Sequence, residues 1–163
     1  MRRIDIITAT IAVSALMALA SCEKHQEILF DTPFVSISDE TGTSSSMNVS
    51  NSANNYLTSL RIDVNISGEK YIGDVTIEYE VIAGNGLREG VDYVIQSSTL
   101  SPVVFTKGTY TMPVRLLWKH NPDFDPEKDN TLVIRLTSSS MEEMLIGYPG
   151  PSALKSSFTF TKQ

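Results

Sequence analysis

Beyond Pro33 the chain alternates hydrophobic and polar positions with a period of two, the signature of strands that bury one face. In the run 60–66, Leu60, Ile62, Val64 and Ile66 share one side, while Arg61, Asp63 and Asn65 share the other. Val75, Ile77, Tyr79 and Val81 oppose Thr76, Glu78 and Glu80. Tyr110, Met112, Val114, Leu116 and Trp118 align along 110–118, and Leu132, Ile134 and Leu136 oppose Val133 and Arg135. Val35 and Ile37 open the series; Phe158 and Phe160 close it. Shorter apolar runs at 92–95 and 102–106 predict two more strands. No segment sustains a helical period, and only Ser140–Ile146 is compatible with a helical turn.

About seven or eight antiparallel strands joined by Gly, Asn, Asp and Pro turns predict an all-β fold, a two-layer antiparallel β-sandwich of immunoglobulin-like type over 34–163. The inward faces gather about twenty large apolar side chains. At about 1.5–3 kcal/mol each, their burial offsets much of the chain entropy lost on folding. The stretch 39–55 is rich in Ser, Thr and Asn and long for a loop in a compact domain. It reads as a mobile flap or, preferably, as a loop containing a short edge strand at Met47 and Val49.

The first residues follow another pattern. Arg2 and Arg3 precede an apolar stretch from Ile6 to Ala18, closed by Leu19-Ala20-Ser21-Cys22. The order charged, apolar, small is that of a secretory signal. The apolar stretch is shorter than the about 20 residues a spanning helix needs. Leu19-Ala20-Ser21-Cys22 resembles the lipobox of bacterial lipoproteins, which implies cleavage before Cys22 and acylation of its thiol. The expected organisation is a lipoprotein signal peptide at 1–21, a lipidated tether at 22–33 and the sandwich at 34–163. Two or more acyl chains suffice for stable anchoring, and an extended tether at roughly 3.3 Å per residue reaches about 35 Å.

Charge and composition narrow the partners. The 163-residue chain has a formal net charge of −6 and no cluster of Lys and Arg, which argues against nucleic acid. One cysteine excludes an intrachain disulfide. The two histidines, His25 and His120, lack the neighbours of a triad or zinc site, so the chain reads as non-catalytic.

The middle of the chain carries a further resemblance. Val75-Thr76-Ile77-Glu78-Tyr79-Glu80-Val81 leads to Gly84 and Gly86, then to Gly90-Val91-Asp92-Tyr93 and Val103-Val104-Phe105-Thr106-Lys107-Gly108. The strand 110–118, an acidic turn and the run 131–137 follow; Ile146-Gly147 and Ser157–Thr161 complete the series. This order resembles the Calx-β sandwich over roughly 34–161. Joined to the lipobox, it also resembles the small Bacteroidetes-type lipoproteins of unknown function. Several of those families accompany glycan-uptake systems, which implies carbohydrate-related work; the lipobox resemblance implies lipid anchorage at the outer membrane, facing periplasm or surface. Glu23-Lys24-His25-Gln26-Glu27 is similar to an acidic surface-export signal, interrupted by Lys24 and His25.

The Calx-β resemblance implies calcium held by carboxylates at one end of the sandwich. The candidates are Asp92 together with Asp123, Asp125, Glu127 and Asp129. The same acidic segment reads as a solvated turn shaped by Asp and Pro, and Asp92 as a residue accepting backbone hydrogen bonds within its turn. Tyr56, Tyr71 and Tyr148 lie near turns and are candidate stacking platforms for a ligand; Trp118 and Tyr110 belong to the core or its rim. The expected function is a membrane-anchored accessory or recognition module for a glycan or protein. The alternatives are a calcium-dependent interaction domain and a structural subunit of a surface assembly.

Overall fold

The computed structural model describes residues 32–163; Cys22, the signal segment and most of the tether lie outside the described residues. Ten strands form: β1 (Phe34–Asp39), β2 (Ser46–Val49), β3 (Tyr56–Asn65), β4 (Val75–Ala83), β5 (Tyr93–Ile95), β6 (Val103–Phe105), β7 (Thr111–Trp118), β8 (Thr131–Ser139), β9 (Leu145–Ile146) and β10 (Ser157–Lys162). One sheet runs β5-β7-β3-β1-β9 and the other β2-β10-β8-β4-β6. The architecture is the expected two-layer sandwich, with short edge strands raising the number above seven or eight. Among the described residues no helix is long and apolar enough to cross a membrane.

Not every pair is antiparallel. β9 runs parallel to β1, and β2 runs parallel to β10. Each follows a crossover: after Asp39 the chain leaves the first sheet and enters the second as its edge strand β2, and after β8 it returns to the first sheet as its edge strand β9. Asp39 fixes the first of these steps. Its carboxylate accepts the N–H groups of Thr43 at 2.8 Å and Ser44 at 2.9 Å, and the Thr41 hydroxyl at 2.6 Å. Gly42 takes the left-handed conformation at φ 78° that the turn requires. The Ser/Thr-rich stretch is therefore largely turn chemistry, and it does contain the edge strand, with Val49 buried.

The period-two faces meet between the sheets. Val35, Ile37, Leu60, Ile62, Ile77, Val114, Leu116, Leu132, Ile134, Phe158 and Phe160 are buried. Trp118 lies at the centre of an aromatic cluster, its ring 5.2 Å from Phe160 and 6.1 Å from Tyr93. The Trp118 indole N–H donates to the Thr58 hydroxyl at 2.9 Å, which satisfies its one polar atom. Tyr110, aligned by sequence with β7, instead precedes it and stays at the rim. The Ser140–Ile146 segment makes only a single turn, closed by the Met144 N–H on the Met141 carbonyl, before β9.

Pro113 sits inside β7 without breaking a ladder. The Arg115 N–H donates to the Thr99 hydroxyl, away from β3. Position 113 faces the same side two residues earlier, and β5 pairs only with 116–118. The missing N–H of proline thus falls on an unpaired edge, where it costs little.

Candidate functional site

Strand register sorts the loops into two ends. Phe34 pairs with Asn65, so the chain begins β1 at the end that carries the 66–74 and 106–110 turns. Tyr56 pairs with Trp118, Ala83 with Leu132, and Thr161 with Thr131. The segments 50–55, 84–92 and 119–130 and the C-terminus therefore collect at the opposite end.

This loop end is built on a buried ion pair. Lys162 follows Phe158 and Phe160 on the inward face of β10, so strand periodicity carries a cation into the interior. Its Nζ lies 3.0 Å from Asp92 Oδ1, and neither side chain is exposed. The ammonium also donates to the Lys119 carbonyl at 2.9 Å and lies 5.5 Å from the centre of the Phe124 ring. Asp92 Oδ1 accepts from Asn121 Nδ2 at 2.9 Å, and Oδ2 accepts the Arg88 N–H at 2.9 Å. Asn121 is held in turn by Asn51, whose amide donates to the Asn121 carbonyl at 2.9 Å and accepts the Asn121 N–H at 2.9 Å. The Asn51 N–H donates to the Gln163 carbonyl at 2.6 Å. One network thus fastens both long loops, the 50–55 segment and the C-terminal strand.

Burial pushes the Asp92 carboxyl up, but the hydrogen bonds from Asn121, Arg88 and Lys162 and the ammonium charge outweigh it, holding the group below the ordinary carboxylate range. A folded-state value below the unfolded one, about 3.9, contributes stability that is present above that pH and lost as the pH falls through the folded value. In urea melts between neutral pH and pH ~2, the stability gap between wild type and Asp92→Asn should narrow steadily on acidification. A gap independent of pH would contradict this account.

Two glycines let the loops pack. A Cβ on Gly84 would collide with the Asp129 backbone and carboxylate, and one on Gly86 with Asn130 Oδ1. Asn130 is buried, its amide N–H donating to the Asp125 carbonyl at 2.9 Å. Its Oδ1 has no hydrogen-bond partner and occupies the space that a side chain at position 86 would need. Gly86→Ala should therefore lower stability by about 1–3 kcal/mol through overpacking, read from the denaturant midpoint.

The carboxylates singled out in the sequence are not brought together. Asp92 is enclosed and paired. Asp125 Oδ1 accepts the Glu127 N–H at 3.0 Å, with Lys128 3.9 Å from its other oxygen. Asp129 Oδ1 accepts the Thr131 N–H at 3.1 Å and hydroxyl at 2.6 Å, and these bonds lower its pKa. Asp123 and Glu127 are exposed. Among the described residues no three His, Cys, Asp or Glu are arranged to hold a metal ion. The acidic segment is a series of side-chain-capped turns, not a ligand shell.

The tyrosines are also dispersed. Tyr56 is at the loop end, its hydroxyl accepting the Ser50 N–H at 2.6 Å and facing the Ser50 carbonyl at 3.1 Å. Tyr71 lies at the other end and is no platform. It is 1% exposed, and its hydroxyl reaches the Thr109 carbonyl at 2.8 Å and the Thr106 carbonyl at 2.9 Å. Tyr148 stands edge-on to Phe34 with Lys155 over its ring. Of the network's members, Lys162, Asn121 and Asn51 escaped the sequence reading. For Lys162 a signal existed: a charge at the third inward position of a strand whose first two are phenylalanine.

Beside the network opens a shallow groove of about 440 Å³, lined by Pro126, Lys128, Asp129, Asn130, Thr131 and Thr161. Its walls mix polar side chains with a larger share of apolar surface and come from the 126–131 segment and β10.

No protein-family model and no curated protein matches the sequence. Solved structures do match by fold. The apo-form Calx CBD1 domain superposes with a TM-score of 0.52 at 16% identity, covering 80% of this chain and 98% of that one. CBD12 from CALX1.2 gives a TM-score of 0.50 at 16% identity, covering 78% of this chain and 43% of that one. The calcium binding domain CBD12 of CALX1.1 gives 0.50 at 16% identity, covering 77% of this chain and 43% of that one. At this identity the likeness is one of architecture, and the chain is a Calx-β-like, immunoglobulin-like β-sandwich.

Proposed function

We propose that this chain is a non-catalytic recognition or accessory lipoprotein, acylated at Cys22 and held at the bacterial outer membrane, that presents its loop end to a glycan or protein partner. The observation that carries the reading is the separation of the two ends. The chain begins β1 at one end, whereas the fastened loops and the groove lie at the other. An anchor about twelve residues before β1, on an extended tether reaching about 35 Å, would put the end of the sandwich opposite the groove next to the membrane and leave the groove free to face away from it. Lys128, Asp129, Thr131 and Thr161 set donors and acceptors beside the groove's apolar surface, a mixture that suits a hydroxyl-rich or main-chain ligand.

Two measurements test it. Mass spectrometry of the membrane fraction should find acylated Cys22 at the mature N-terminus, and Cys22→Ala should release the chain from the membrane. Glycan-array and pull-down assays should give binding that Thr131→Lys or Thr161→Lys, both lining the groove, weakens at least tenfold. Cytosolic protein with an unmodified Cys22 would end the anchored reading, and turnover of a substrate the non-catalytic one.

A second reading, a calcium-dependent interaction domain, draws on the likeness to structures that include a calcium binding domain. Against it stands the chemistry of Asp92. Its oxygens are already engaged by a lysine, an asparagine and a backbone N–H; Asp125 and Asp129 cap turns, and Asp123 and Glu127 face solvent. These residues do not fit a calcium shell.

A further inference from the structure

We infer that the Lys162 ammonium is the resident cation of the loop end, holding at Asp92 the position that a metal ion would otherwise take, so that these loops are ordered without calcium. A carboxylate shut away from water needs a counter-charge and a full set of hydrogen bonds. Asp92 receives both from within the chain.

The partners of Nζ are of the kind a hard cation chooses: a carboxylate oxygen and a main-chain carbonyl, with an aromatic face on a further side. The distances of 3.0 and 2.9 Å to the two oxygens are those of charge-assisted N–H···O bonds; calcium–oxygen contacts are about 2.3–2.6 Å. Like a bridging ion, the ammonium joins separate segments: 88–92, 119–124 and β10. Unlike an ion it cannot dissociate, because β10 delivers it covalently. A ligand surface framed by these loops is therefore permanently set, and a change in calcium concentration does not switch it. This inference is independent of the partner proposed above.

The test uses thermal melts of the full chain. Wild type should melt at the same temperature in calcium chloride and in chelator, since a ligand of the native state would raise the midpoint by mass action. Lys162→Ala should melt about 10 °C or more lower. Adding n-propylammonium chloride, which supplies the deleted atoms, should raise the variant's midpoint and leave wild type unchanged; n-propanol should do neither. A calcium-dependent rise in the wild-type midpoint would overturn the inference, as would a Lys162→Ala chain as stable as wild type or insensitive to the ammonium. If Lys162→Ala does not fold, Lys162→Arg and Lys162→Gln decide. Arginine should melt well above glutamine, and equal midpoints would overturn the inference.

Discussion

Replacing Lys162 by methionine is expected to lower the unfolding free energy at neutral pH by about 3–5 kcal/mol. The size follows from burial. The pair is fully enclosed, so with methionine filling the lysine's space the carboxylate is left buried without its counter-charge. Asn121 and the Arg88 N–H would still donate to it, but neither supplies charge. By contrast, Arg135 and Glu80 form a pair whose side chains are 54% and 43% exposed; breaking it should cost no more than about 1 kcal/mol, because water takes over each charge. The double variant Asp92→Asn/Lys162→Met removes both charges and should recover much of the loss. The expected cost therefore lies in the stranded charge, not in the pair's own worth. Urea unfolding of the single and double variants reads this directly. A single variant within 1 kcal/mol of wild type, roughly the value of an exposed pair, would show that the carboxylate is solvated after all.

The second large effect is expected at Trp118. Its ring is wholly buried between the sheets, against Tyr93 and Phe160, and no backbone shift refills so large a space. Trp118→Ala should cost about 3–5 kcal/mol. Thr58→Val isolates the hydrogen bond from the packing: the indole N–H would stay enclosed without an acceptor, at about 1–3 kcal/mol. As Trp118 is the single tryptophan of the chain, its emission should be blue-shifted in the native protein and move red on unfolding, and should report the Thr58→Val transition. A wild-type spectrum already red-shifted would contradict this packing.

The sandwich was legible in the sequence because strand periodicity is local. Alternate residues of a strand point to opposite faces whatever lies across the sheet. That is why Leu60, Ile62 and Val64, or Ile77 and Tyr79, reveal their inward direction without a partner in view. The edge strand at Met47 and Val49 was readable for the same reason. Its parallel pairing with β10 was not, because direction depends on where the chain crosses between sheets, and that is set by the Asp39 turn.

The loop end resisted reading for a related reason. Asp123, Asp125, Glu127 and Asp129 look like a ligand set when adjacency in sequence stands for adjacency in space. In the fold each carboxylate turns back on its own backbone or out to solvent, since a tight turn satisfies nearby N–H groups before it can aim several carboxylates at one point. Tyr71 misled similarly. A tyrosine beside a turn is an exposed platform only if nothing folds over it, and here the 106–110 turn does.

The order of strands, the inward faces, the acidic charge balance and the lipobox-like segment were thus determined by the sequence itself, each resting on residues a few positions apart. Tertiary structure alone decided that Asp92 meets Lys162 and Asn121 meets Asn51, pairs separated by 70 residues each. Such meetings depend on which strand ends share an end of the sandwich, and the energy that selects them belongs to the packed core as a whole.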